Sequence, residues 1–140
     1  MINKYNKFWF KLADDLIWKK KPTKLYSKNN LNNYSWFPDG LLSVYENTVH
    51  KNLDNKNSII TVDLDYKIRT YTYKELNALV NSFCIFLTSK ISKVKHPKIL
   101  IHSSASIYSA LSMLSCAKMG IHFSVIFEDL EYFAVQNRVQ

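Results

Sequence analysis

Side chains able to do chemistry are present in this sequence, but their spacing does not assemble them. Ser103, Ser106, Ser109, Ser112 and Ser115 recur at every third position. A serine nucleophile needs a base and an oxyanion donor beside it, and the neighbouring sequence indicates neither. Three residues advance an α-helix by about 300°, so the row spirals instead of forming one face. Its expected role is to let a helix approach a sheet closely. His50, His96, His102 and His122 make no H-x-x-x-H or H-E-x-x-H pair, so no metal site is expected. Asp63 and Asp65 are close enough in sequence to suggest acid–base work, but they flank a turn and are expected to be solvated. Cys84 lies among Phe83, Ile85 and Phe86, and Cys116 beside Leu114 and Ala117, so both read as small buried hydrophobes. Two such cysteines make neither a disulfide framework nor a zinc site, and they fit a reducing, cytoplasmic compartment.

Glycine is scarcer still. With only Gly40 and Gly120, no G-x-G-x-x-G loop, Walker loop or G-x-S-x-G elbow can be written. Each of these needs clustered glycines so that backbone can approach phosphate or turn at positive φ. No phosphate cradle is therefore expected in these 140 residues, and no catalytic, cofactor-binding or metal-binding residue is assigned.

The net charge of +8 raises nucleic acid as a partner. It is carried by 17 Lys and only 2 Arg, Arg69 and Arg138, whereas base and phosphate readers rely on the guanidinium fork. The lysines are scattered apart from the run Lys19, Lys20, Lys21, with Lys24 and Lys28 nearby. Together with the asparagines at 29, 30, 32 and 33 they read as a solvated surface. A basic nucleic-acid or membrane-surface protein remains the least favoured alternative. The N-terminus has charges throughout and no apolar h-region, so it does not read as a secretory signal. Ile99–Ala117 carries no Asp, Glu, Lys or Arg, but its six serines and His102 make it too polar for a confident membrane span. A buried strand followed by a buried helix is the expected reading, and neither nucleic acid nor membrane is an expected partner.

The elements around these residues follow from periodicity. Tyr5, Phe8, Trp9, Leu12 and Leu16 predict an amphipathic helix over 5–18, ended by Pro22. Residues 22–40 read as an irregular arm closing in the turn Pro38-Asp39-Gly40. Within it, Trp36-Phe37 is either an exposed recognition pair or, as favoured here, a staple of the arm onto a core. Residues 43–53 suit a short helix with Val44, Val49 and Leu53 inward. Ile59–Leu64 and Ile68–Tyr71 predict a hairpin around Asp65-Tyr66-Lys67. Thr72-x-x-Glu75 is a capping box, and Leu76, Leu79, Val80, Phe83 and Leu87 place a helix over 73–89. A strand at Lys98–His102, a helix over 105–119 stopped by Gly120, and a strand at Phe123–Phe127 form a parallel βαβ unit, followed by a helix over 131–140. Near-continuous apolar strands call for cover on both sheet faces, and too few elements remain to provide it.

Five of these segments, in this order, resemble the start of the short-chain acyl-CoA synthetases, the acetyl-CoA and propionyl-CoA synthetases of the adenylate-forming superfamily. Phe8-Trp9 with Asp15-Leu16-Ile17-Trp18 is similar to the family's opening F-W…L-D-W. Trp36-Phe37-Pro38-Asp39-Gly40 followed by Leu42, Val44, Asn47 and Leu53 resembles W-F-x-x-G-x-L-N-x-x-x-N-x-x-x-R-H-L. Thr70-Tyr71-Thr72-Tyr73-Lys74-Glu75-Leu76 resembles the T-Y-x-E-L before the first long helix. Ala110 to Gly120 is similar to A-x-x-A-M-L-A-C-A-R-I-G, and Ser124-Val125-Ile126-Phe127 to H-S-V-V-F.

The sequence also departs from that pattern. His96-Pro97 stands where the family has Gly-Asp, Ser103-Ser104-Ala105-Ser106 where it has M-P-x-x-P-E, and Phe123 where it has His. Glu128-Asp129-Leu130-Glu131 replaces Gly-Gly-Phe-Ser. The family's phosphate loop, CoA-holding arginines, ribose-binding Asp, hinge and catalytic Lys lie further along a chain several times longer, so none is carried over. The resemblance implies an α/β fold, a partial N-terminal subdomain of the adenylate-forming fold. Residues 1–54 would form its N-terminal helix, arm and short helix, and 55–140 the start of the synthetase domain. It implies the N-terminal fragment of an acetate or propionate ligase whose ATP, Mg2+ and CoA are held elsewhere. The fragment is expected to be inactive alone, from a decayed or split gene. The alternative is a non-enzymatic module that completes a separately encoded remainder.

Overall fold

The computed structural model describes residues 2–29 and 31–139, with side chains described from Lys4 onward. Helix α1 spans Ile2–Ala13, shorter than the helix expected over 5–18. Asp14 and Asp15 fall at its C-terminus, where the helix dipole disfavours negative charge. The chain there tightens into three-residue turns, Asp15 N–H to the Leu12 carbonyl and Leu16 N–H to that of Ala13. Trp18 leaves the helix altogether. Its indole N–H donates to the Ala13 carbonyl at 2.7 Å, and Trp18–Lys20 becomes strand β1.

The expected irregular arm contains a hairpin, β2 (Tyr26–Lys28) antiparallel to β3 (Tyr34–Trp36). Short strands with a polar Asn-rich turn lack the apolar alternation that would reveal them. The turn at Pro38-Asp39-Gly40 is present, closed by Gly40 N–H to the Phe37 carbonyl at 2.9 Å. It leads into β4 (Leu41–Leu42), antiparallel to β1. Helix α2 (Val44–Thr48) follows, capped by Ser43, and a 3-10 turn covers His50–Asn52. Val49 points inward as expected, but Val44 and Leu53 do not; Tyr45 is the other buried apolar side chain. One helical turn cannot place 44, 49 and 53 on one face once α2 gives way to a tighter turn.

Strands β5 (Asn57–Val62) and β6 (Ile68–Thr72) form the expected antiparallel hairpin. Helix α3 (Tyr73–Ile91) opens on the complete capping box: Glu75 N–H donates to Thr72 Oγ1 at 3.2 Å, and Thr72 N–H to Glu75 Oε2 at 2.8 Å. Strand β7 (Lys98–His102), helix α4 (Ile107–Met119) and strand β8 (His122–Ile126) make the parallel unit, Lys98 opposite His122 and His102 opposite Ile126. Gly120 caps α4 at φ 68°, the left-handed position a glycine adopts without strain. Helix α5 covers Tyr132–Val139.

The core joins Tyr45 and Val49 from the N-terminal region to Leu76 and Val80 of α3 and Leu111 of α4. Away from it, cover is thin. Among the described residues every sheet has two strands, and Phe123, Val125 and Phe127 at β8 are exposed. The largest departure is at α1. Its stripe Tyr5, Phe8, Trp9, Leu12, which reads as the core side, faces outward; Tyr5 is 64% and Phe8 54% exposed. The helix is held instead by Ala13, which is buried, and by Phe10, whose ring sits 5.8 Å from that of Phe37.

Candidate functional site

In open α/β sheets ligands bind beyond the carboxyl ends of the parallel strands. Here that place is formed by Ser103–Ser106 after β7 and Phe127–Glu131 after β8. His102 Nε2 lies 3.2 Å from the Glu128 carbonyl oxygen, which ties the two loops together. Ser103 Oγ donates to the Ser104 carbonyl at 3.2 Å. Ser106 is the N-cap of α4 but makes no side-chain capping bond. None of these hydroxyls bonds to the His102 ring or to a carboxylate. Glu128, Asp129 and Glu131 are exposed there, and they would repel a phosphate. Among the described residues, this strand end pairs no serine hydroxyl with a base.

The remaining serines are structural. Ser109 and Ser115 are buried, and Ser115 Oγ donates to the Val80 carbonyl at 3.4 Å. The small side chains thus bring α4 against helix α3, where a close approach to a sheet was expected. Ser112 bonds back to the Tyr108 carbonyl at 2.8 Å. Asp63 is exposed, and its Oδ1 accepts from the N–H groups of Asp65 (3.0 Å) and Lys67 (2.8 Å); it shapes the turn that carries Tyr66 at φ 61°. Cys116 is buried and Cys84 half-buried; both are free thiols, and Cys84 Sγ points at the Ser115 carbonyl at 3.9 Å. Burial, then the neighbouring Cys84, pushes the Cys116 thiol above its ordinary value, the opposite of nucleophile activation. No three His, Cys, Asp or Glu among the described residues come together as a metal set. No described helix is long and apolar enough to cross a membrane.

Three side-chain clamps were not legible from spacing. Asn47 spans from α2 to the segment before β1: its Oδ1 accepts from Ile17 N–H at 2.8 Å, and its Nδ2 donates to the Ile17 and Ser43 carbonyls, each at 3.0 Å. Asp39 accepts from Thr23 N–H (3.0 Å), Lys24 N–H (3.1 Å) and Thr23 Oγ1 (2.5 Å). The Thr23 hydroxyl first, and then the backbone donors, hold its carboxyl at about 2 against an ordinary 3.8. Lys118 of α4 reaches the Tyr45 hydroxyl at 3.2 Å and the Asn81 side-chain carbonyl, with its ammonium 4.3 Å from the Tyr45 ring centre. Tyr45 in turn donates to Asn77 Oδ1. The cluster locks α2, α3 and α4 together; the lysine is fully occupied by neutral oxygens and a ring face. The only advance signals were positional: Asn47, Asp39 and Lys118 all fall inside the motifs quoted above.

Aromatic rings form a connected row on the surface of the N-terminal region. Phe8 and Trp9 meet at 5.3 Å, Trp9 and Trp36 at 5.2 Å, Trp36 and Tyr26 at 6.5 Å, Tyr26 and Tyr34 at 6.0 Å. The Trp36-Phe37 pair divides between the two faces of the arm. Phe37 staples the arm, lying between Phe10 and Trp18 at 5.8 and 5.6 Å, while Trp36 remains exposed.

Comparison with known proteins agrees with this picture. Residues 1–48 match the family model of the acetyl-coenzyme A synthetase N-terminus. The acetyl-coenzyme A synthetase of Ralstonia pickettii is 33% identical over 140 residues, covering 96% of this chain and 21% of that protein. The enzyme of the same name from Herminiimonas arsenicoxydans is 34% identical over the same shares, and that of Helicobacter pylori strain P12 is 26% identical over 139 residues. The chain thus spans about a fifth of the length of the curated relatives it matches. In fold, the acetoacetyl-CoA synthetase from Streptomyces lividans superposes with a TM-score of 0.80 over 99% of this chain and 22% of that one, at 16% identity. In sequence and in fold this chain is similar to the N-terminal part of an acyl-CoA synthetase.

Proposed function

We propose that the chain serves as the N-terminal segment of an ATP-dependent ligase that joins a short carboxylic acid, acetate or propionate, to CoA, and that it is catalytically silent by itself. In such a ligase the acid is first adenylated and the acyl group then passes to the CoA thiol. ATP, Mg2+ and CoA would be held by parts of the ligase other than these residues, in the cytoplasm, where free thiols such as Cys84 and Cys116 persist. The observation that carries the reading is the match along 96% of the chain to acetyl-CoA synthetases five times longer, on a strand end edged with carboxylates where a phosphate would need donors. The test is acetate-dependent exchange of labelled pyrophosphate into ATP by the purified chain. No exchange above a protein-free control is expected; exchange that follows the chain through purification would contradict the reading.

A second role has one observation in its favour, the outward-facing apolar stripe of α1. The chain would then act as a non-enzymatic module completing a separately encoded ligase remainder. A polypeptide carrying the missing loops that co-purifies with it would support this role.

A further inference from the structure

A folded monomer of 16.4 kDa exposes about 7,500 Å2, whereas this chain exposes 11135 Å2. The excess, about 3,600 Å2, exceeds what one partner contributes to most stable protein interfaces. Six of the chain's exposed large apolar side chains lie together in one aromatic face: Tyr5, Phe8 and Trp9 of α1, then Trp36, Tyr26 and Tyr34 of the β2–β3 hairpin. Aromatic rings of this kind make the anchors of protein interfaces. The charge of the face is one-sided. Two lysines stand at its rings, and neither 4–13 nor 23–36 contains an Asp or Glu. Lys4 borders Tyr5, Phe8 and Trp9, and the Lys28 ammonium lies 5.5 Å from the Tyr34 ring centre.

We propose that this cationic aromatic face is the docking surface for the remainder of the ligase, which would present apolar side chains ringed by Asp and Glu. The proposal rests on the ligase-segment reading and names the surface through which that segment joins. A second copy of this chain would set like charges against each other. An uncovered sheet edge at β7 or β8 would take up a strand whatever its charge; the aromatic face selects for acid.

The experiment co-expresses the 140-residue chain with the Ralstonia pickettii acetyl-CoA synthetase lacking the fifth that this chain matches. Affinity is read from titration calorimetry and co-purification. Two double variants are compared, Trp9→Ala with Trp36→Ala, and Lys4→Glu with Lys28→Glu; all four side chains are exposed, and far-UV circular dichroism checks folding. A one-to-one complex weakened at least tenfold by each pair is expected. A complex of full strength in both variants overturns the face and leaves the ligase-segment reading intact. Absence of any complex counts against that reading. The face is then judged by a synthetic peptide alternating Asp and Leu: a Trp blue shift with it and none with its Lys–Leu counterpart supports the face, and no shift overturns it. Tighter binding to phosphatidylserine vesicles or poly(U) than to the acidic peptide also overturns it, in favour of a lipid or RNA surface.

Discussion

Asp39 and Gly40 lie in the same turn and illustrate what one residue contributes. The turn itself was legible, because Pro-Asp-Gly favours it locally. What the two residues do for the rest of the arm was not, since both reach partners 15 or more positions away. A Cβ on Gly40 would stand 2.7 Å from Trp18 Cζ3 and 3.1 Å from Pro22 Cβ, so the glycine is needed for contact and not for its dihedrals. Gly40→Ala is expected to cost about 1–3 kcal/mol, visible as amide exchange at Trp18 and Gly40 faster by about fivefold or more; unchanged exchange would show that the ring moves aside freely. Asp39 makes a pH prediction. Its folded pKa is depressed from 3.8 to about 2, so the clamp is fully made above pH 3.8 and is lost as pH falls through about 2. The Thr23 and Lys24 amide shifts should therefore titrate with a midpoint near 2, and a midpoint near 3.8 would mean that the clamp is absent.

The secondary-structure elements divide by what defines them. Helix α3 was legible nearly to its ends because its signals are local and agree: a capping box, a repeating apolar face, and partners to bury it. The βαβ unit was legible for the same reason, with Gly120 fixing the end of α4. Loss of the Thr72 side chain removes one partner from the cap. Thr72→Ala is expected to destabilise the first turn of α3 by about 1 kcal/mol, read as roughly fivefold faster amide exchange at Glu75, with Val80 unaffected; equal acceleration at both would point to a global effect. Helix α1 shows the limit of periodicity. Its apolar stripe was identified correctly, yet a stripe says which face seeks cover and not whether these residues provide it. The β2–β3 hairpin was missed because three-residue strands give too few alternations to count.

On the scale of the whole molecule the excess of exposed surface is the dominant fact. Chains of this size normally bury roughly two-thirds of the surface they expose when unfolded. Among the described residues, one core of five joins α2, α3 and α4, while α1, the β2–β3 hairpin and the β7–β8 pair keep large apolar side chains in water. The sequence already hinted at this shortage, since two apolar parallel strands and one crossover helix cannot cover each other on both faces. The position of the uncovered surface was not legible, because it depends on which way α1 turns.

The most direct measurement is urea unfolding of the purified chain, followed by far-UV circular dichroism and by Trp emission. If further polypeptide normally completes the core, the two signals should decline broadly and at different urea concentrations, without a shared transition. Coincident, steep transitions, with a slope in the range of about 1–3 kcal/mol/M found for small cooperative proteins, would contradict this and establish the 140 residues as a self-sufficient domain.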